Sequence, residues 1–198
     1  MSSSRETVVI GISAVSGGGK TALTLKVTEL LGDAVTIHFD DYDDSTIHPE
    51  NLREWFDAGA DYNAWKTPVF TEHLRLLRAG GSVSSVGSGI EVGPARYVVA
   101  DAPLGRAHAA SATLIDFMVY VDTPLDVAMA RRILRDLERA REEDAIAHLD
   151  DLRSDLIGHL NGAREIYAHQ QAAATSDLVL DGQLSLDELA QAVLAGVS

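Results

Sequence analysis

Lys20 and Thr21 follow three consecutive glycines, and the run from Ala14 reads Ala-Val-Ser-Gly-Gly-Gly-Lys-Thr. Successive backbone N–H groups can converge on phosphate oxygens only where the backbone adopts dihedrals that glycine tolerates. A lysine closing such a run supplies a point charge to the β- and γ-phosphates of a nucleotide. The hydroxyl after it is a ligand for Mg2+. The matching pattern is G-x-x-x-x-G-K-[ST] between a strand and a helix. Ala14 departs from it at the first glycine, and the remaining positions conform. Ser16, Gly17, Gly18, Gly19, Lys20, Thr21 and Ala22 are therefore expected to hold the phosphates of ATP, with Lys20 also acting on the transferred group. A glycine-rich turn that binds nothing is the alternative; the Lys-Thr pair weighs against it.

Two carboxylates are placed for the rest of such chemistry. Asp40 follows the apolar run Ala34–Phe39, where it can face a γ-phosphate, accept the proton of an acceptor hydroxyl or orient that hydroxyl. Asp41, Asp43 and Asp44 crowd the same stretch, so position alone leaves a catalytic base and a solvated acidic loop evenly matched. Asp101 ends the apolar stretch Tyr97–Ala100, as a carboxylate organising Mg2+ does; a cap or turn residue is the other reading. The metal set is thus Thr21 and Asp101.

Arg131, Arg132, Arg135, Arg139 and Arg141 are five of the sixteen basic residues of the chain. Arg131 and Arg135 stand four apart and share one helix face. That face can cover the phosphates of ATP and neutralise charge in the transition state, a role expected for Arg131 and Arg135, while Arg139, which shares another face with Arg132, is expected to contact ATP. A solvated helix laced with ion pairs is the alternative. The histidines show no metal-ligand spacing, and His148, His159 and His169 are expected in solvent. Arg106 and His108 lie soon after Asp101 and are expected to line the crevice. Trp55 and Trp65 either belong to the core or flank the substrate, with the core reading favoured.

The elements that position these residues alternate along the chain. Strands are expected at 8–12, 34–39, 97–100, 117–121 and 178–180, from short β-branched or apolar runs. Helices are expected at 21–31, 49–58, 70–79, 126–141, 144–174 and 186–194, several closed by glycine. The Gly/Ser-rich segment 82–92 reads as a hairpin or loop. Alternation of this kind gives an α/β fold, a parallel sheet flanked by helices on both faces. Its ligands sit beyond the carboxyl ends of the strands, where the glycine loop, the acidic run and Asp101 all fall.

Charge and composition narrow the partners. A net charge of −14 repels nucleic acid and anionic membranes, so neither is an expected partner, and ATP needs a locally positive site. The absence of cysteine excludes disulfides and thiolate metal sites. No apolar leader or stretch of membrane-spanning length is present, which points to a cytoplasmic protein.

Ile10-Gly11-Ile12-Ser13, the glycine loop and Lys20-Thr21 resemble the start of the uridine kinase and nicotinamide riboside kinase group, itself related to phosphoribulokinase and pantothenate kinase. Phe39-Asp40-Asp41-Tyr42 is similar to the group's Q-D-[SD]-[FY]-[FY] motif. That match gives Asp40 the role of base and places Tyr42 beside the acceptor. Val119–Thr123 with Ala130–Asp136 resembles its D-T…S-R-R-x-x-R-D run, which leads into an arginine-rich lid. The resemblance implies a P-loop NTPase fold of the nucleoside and nucleotide kinase type in a single domain, 1–198, with a lid at roughly 131–145 and a substrate-side insertion at roughly 45–95. It implies ATP and Mg2+ as cofactors, phosphoryl transfer to a hydroxyl of a nucleoside or related metabolite, and a homo-oligomer. The chain departs from the group near the acceptor. Trp65-Lys66-Thr67-Pro68 stands where the group has F-D-H-P, the P-V-Y-D-F hairpin is replaced by Ser82–Val92, and Ala100-Asp101 replaces a terminal E-G. Lys66, with Arg106 and His108, is thereby placed to meet an acidic or phosphorylated acceptor. The rival readings are a non-catalytic nucleotide-binding module and a phosphotransferase on a non-nucleoside acceptor. A guanine-specific switch lacks its N-K-x-D motif.

Overall fold

Strands β1 (Val8–Ala14), β2 (Ala34–Ile37), β5 (Tyr97–Asp101), β6 (Phe117–Asp122) and β7 (Leu178–Asp181) form one parallel sheet in the order β2-β5-β1-β6-β7. The computed structural model describes residues 7–142, 145–168 and 171–197. Strands β3 (Val83–Ser84) and β4 (Glu91–Val92) pair antiparallel as a separate hairpin, as the Gly/Ser-rich segment predicts.

Side chains alternate across a strand, so each strand feeds two cores. Val9, Val98 and Ala100 point to one face, where they join Phe39, Tyr42, Phe70, Leu74 and Leu77. Ile10, Ile12 and Val99 point to the other, with Leu23, Val27, Leu189 and Val193. Helices α1 (Lys20–Leu31) and α9 (Leu186–Val197) cover the second face, and α3 (Pro68–Arg78) covers the first. Both faces are therefore sheathed, as a parallel sheet requires.

Helix α2 spans Leu52–Asp57, later than the sequence suggests, because Asn51 caps it: its side chain accepts from the N–H groups of Arg53 and Glu54. Helix α3 starts earlier than expected, with Pro68 in the first turn where no N–H is needed. A short helix, α4 (Ala109–Ala112), was not foreseen. Helix α5 runs Leu125–Glu142. The expected helix 144–174 is broken instead after α6 (Ala145–Gly158) by a wide turn at His159–Ala163, and α7 (Arg164–Ala168) and α8 (Gln171–Ala174) are described beyond it. Gly162, at φ 116°, breaks it, since a right-handed helix cannot pass through that dihedral. Asp144 and His169 lie outside the described residues, as do the side chains of Arg139, Arg141 and His148. No described helix is long and apolar enough to cross a membrane.

Candidate active site

Strand β1 delivers the glycine loop to the carboxyl edge of the sheet, and α1 leaves it at Lys20. Gly17 and Gly19 have φ of 80° and 100°, dihedrals that side chains resist. Gly17 also presses on α5: a Cβ there would lie 2.2 Å from the Ala128 carbonyl oxygen. Gly18 is buried, its N–H donates to Val15 O at 2.8 Å, and its carbonyl accepts from Thr123 Oγ1 at 2.9 Å. The loop is thus tied to the end of β6. The first turn of α1 faces the cleft with free N–H groups and the positive end of the helix dipole. Ser16, Gly17, Gly19, Lys20, Thr21 and Ala22 line a cleft of about 600 Å3, while Gly18 acts from behind.

Asp101 Oδ2 accepts from Thr21 Oγ1 at 3.4 Å, a long contact, and the residue is 1% exposed. Burial pushes its carboxyl above the usual range; Lys20 pulls the other way, and Asp40 adds to the rise. Its Oδ1 is buried without a hydrogen-bond partner. A buried carboxylate oxygen with no donor is costly unless something else meets it. A divalent cation beside Thr21 would do so, and the oxygen-only donor pair suits Mg2+. No cluster of three or more His, Cys, Asp or Glu suited to a metal exists among the described residues, so the remaining ligands would come from phosphates and water.

The acidic run is a 3-10 helix, Phe39–Ser45. In that helix residues three apart eclipse one another, which sorts the aspartates. Asp40 and Asp43 share one side and both line the cleft. Asp41 lies on another side, with its carboxylate against Gly87. No hydrogen bond or ion pair engages the Asp40 carboxylate among the described residues, and it sits within electrostatic reach of Asp101. Asp43 Oδ1 lies 3.0 Å from His48 Nε2.

Opposite the phosphate loop the cleft has an aromatic wall of Phe39, Trp55, Tyr62 and Trp65, with His48, Leu52 and Leu104. Trp55 stands edge-on to Tyr62 at 5.5 Å and to Trp65 at 6.1 Å, which makes a corner rather than a stack. Both tryptophans are half-buried and face the cleft, so the core reading fails for them in part. Arg131 and Arg135 enter from α5, and Ile166 and Tyr167 from α7. Arg131 Nη2 donates to Gly182 O at 3.2 Å, which holds one edge of its guanidinium beside the end of β7. Arg53 of α2 meets Glu165 of α7 at 2.6 Å across the cleft mouth.

Four expected site residues lie elsewhere. Tyr42 is 2% exposed and packs edge-on against Phe70, its hydroxyl 2.9 Å from His73 Nδ1. Burial pushes that phenol up to about 12. Lys66 is tied by its backbone to Ile47, its ammonium donates to Asn63 O at 2.6 Å, and it does not line the cleft. Arg106 turns to the opposite side, where it pairs with Asp177 and donates to the carbonyls of Ile115 and Asp116. His108 is 3% exposed and holds Trp65 O at 3.2 Å through Nε2 and Ser111 Oγ at 3.0 Å through Nδ1. Burial lowers its pKa, so the neutral ring is favoured. Tyr42, Arg106 and His108 answer to partners far away in sequence, which no local pattern announces, while Lys66 is held by a carbonyl three residues before it. His159 is half-buried and stacked on Tyr167 rather than solvated.

Sequence reasoning missed Asp43, His48, Tyr62 and Tyr167 as cleft residues. The available signal was the density of aromatic residues between 39 and 65.

No protein-family model matches the chain. It is 28% identical over 142 residues to the uridine kinase of Borrelia duttonii, across 66% of this chain and 68% of that protein. To the uridine kinase of Cronobacter sakazakii it is 29% identical over 161 residues, across 72% and 75%. A structure described as a possible uridine kinase from Bacillus stearothermophilus shares the fold at a TM-score of 0.52 and 19% identity, over 88% of this chain and 89% of that one. In sequence the chain resembles uridine kinases, and its fold is that of P-loop kinases.

Proposed function

We propose that the chain is an ATP-dependent kinase that transfers the γ-phosphoryl group to a hydroxyl of a small molecule, with a nucleoside or related metabolite as acceptor. The observation that carries this reading is the union, in one cleft, of the phosphate loop with an unpaired carboxylate, Asp40, and an aromatic wall. A module that only bound nucleotide would need neither of the last two.

The loop N–H groups and Lys20 hold the β- and γ-phosphates in line with the acceptor hydroxyl. Asp40 orients that hydroxyl and takes its proton as the new O–P bond forms. The bond between the γ-phosphorus and the bridging oxygen breaks, and the electron pair stays on ADP. Arg131 and Arg135 neutralise the charge that spreads over the transferred group. Thr21 and Asp101 would hold Mg2+, which when bound supplies charge neutralisation at the phosphate oxygens. The aromatic wall excludes water, which protects ATP from hydrolysis. Lys66, Arg106 and His108 are engaged elsewhere, and the Lys and Arg side chains that line the cleft, Lys20, Arg131 and Arg135, serve the phosphates of ATP, so the expectation of an acidic acceptor loses its support.

The test is ADP release from Mg-ATP with a panel of nucleosides and related hydroxyl compounds, alongside Asp40→Asn. Acceptor-dependent release that Asp40→Asn lowers by about 100-fold or more supports the reading. Nucleotide binding with no acceptor-dependent release refutes it.

A further inference from the structure

The acceptor half of the cleft has a charge and shape that nothing in the phosphate half explains. Its wall carries three aromatic side chains that meet edge to face: Trp55 against Tyr62, and Trp55 against Trp65. His48 closes the corner, edge-on to Trp65 at 4.9 Å. Trp55, Tyr62 and Trp65 line one cleft together, and aromatic side chains gathered around one volume are how proteins recognise ammonium groups.

Beside that corner stands a carboxylate that the transfer reaction does not need. Asp43 lines the cleft three residues after Asp40, on the same side of the 3-10 helix. His48 Nε2 stands 3.0 Å from its Oδ1, and Oδ2 has no partner among the described residues. The cations nearest in sequence are committed: Lys66 to Asn63 O, and Arg53 to Asp57 and Glu165. The chain as a whole carries −14, so its field favours a cationic ligand and opposes an anionic one.

We propose that the acceptor is an ammonium-bearing alcohol, with Asp43 as the specificity-determining residue that pairs with the ammonium while Trp55, Tyr62 and Trp65 enclose it. This deepens the kinase reading, on which it rests for the role of the hydroxyl. Asp40 serves the reacting hydroxyl, Asp43 serves the charge, and His48 orients Asp43. Anionic acceptors are disfavoured, because they would enter beside Asp40 and Asp43 while Lys20, Arg131 and Arg135 of the same cleft are taken up by the phosphates of ATP.

The chain contains two tryptophans, and both line the acceptor half, so intrinsic fluorescence reports occupancy without ATP or turnover. Three probes that share one skeleton separate the outcomes: 3′-amino-3′-deoxyuridine, uridine and uridine 5′-monophosphate. The amino compound is expected to bind at least about fivefold more tightly than uridine at low salt, the sum of a screened ion pair and a cation–π contact. The monophosphate is expected to bind least. In Asp43→Asn the gap between amino compound and uridine should close, and about 1 M salt should narrow it in the unaltered protein. His48→Gln should narrow it in part. Equal or weaker binding of the amino compound, no binding of it, or a gap that survives Asp43→Asn overturns the proposal. Because this readout needs no phosphoryl transfer, its failure is separable from failure of the kinase reading, which ADP release decides.

Discussion

Arg53 and Glu165 join two walls of the cleft at 2.6 Å, although 112 residues separate them in sequence. Arg53 belongs to α2, which carries Leu52 and Trp55 on the acceptor side. Glu165 belongs to α7, which carries Ile166 and Tyr167. The contact is solvent-exposed, so it adds little to global stability. Its effect is local, since it ties α7, which follows the break at Gly162, to α2. Glu165→Gln is expected to raise the KM for the acceptor several-fold, leave kcat close to unchanged and leave the melting temperature where it was. Equal KM values for the two proteins would show that the contact does not set the cleft mouth.

Gly17→Ala tests the seat of the phosphate loop. The new methyl group would meet the Ala128 carbonyl and force a side chain into φ 80°. A strained position of this kind costs about 1–3 kcal/mol, and a loop that relaxes away from it no longer converges on phosphate. Loss of stability in that range, with kcat/KM for ATP down about 100-fold, is the expected result of thermal melting and steady-state assays.

Thr21→Val probes the metal reading. It keeps the volume of the side chain and removes the hydroxyl that touches Asp101. The Mg2+ concentration for half-maximal activity is expected to rise at least about tenfold, with the fold intact by circular dichroism. An unchanged metal requirement would remove Thr21 from the metal set.

His108 predicts a pH dependence of stability. Burial disfavours its protonated form and lowers the pKa from 6.5 in the fold. The native state therefore binds fewer protons than the unfolded chain in the interval below 6.5. Stability from this group is complete above that value and is lost as pH falls through the lower folded value. With Nε2 donating to Trp65 O, the neutral ring must accept from Ser111 at Nδ1, and protonation breaks that arrangement. Difference melting curves between the unaltered protein and His108→Gln should slope below pH 6.5 and flatten above it. Tryptophan fluorescence should shift over the same interval, since Trp65 hangs on this histidine.

The parallel sheet was legible because buried strands write themselves as β-branched runs, and the phosphate loop because its glycines are demanded by backbone geometry. Asp40 was legible only as one of four aspartates. The eclipsing of a 3-10 helix separates it and Asp43 from Asp41, and nothing in Phe39–Ser45 announces that helix. Lys66, Arg106 and His108 misled for a common reason. Their chemistry suits a crevice, yet each is satisfied by a carbonyl or carboxylate away from it. Type and proximity in sequence do not tell an engaged cation from a free one. The reverse error touched Trp55 and Trp65, whose bulk suggests burial but whose faces form the acceptor wall.

The hydroxyl of Thr123 reaches Gly18 O at 2.9 Å, and Gly182 packs so tightly on the other side of that threonine that a Cβ would stand 1.9 Å from its Oγ1. The ends of β6 and β7 therefore clamp the loop before any nucleotide arrives. Entropy that a floppy glycine run would surrender at each encounter with ATP has already been surrendered once, during folding. Nucleotide capture should consequently leave the loop's own mobility almost untouched.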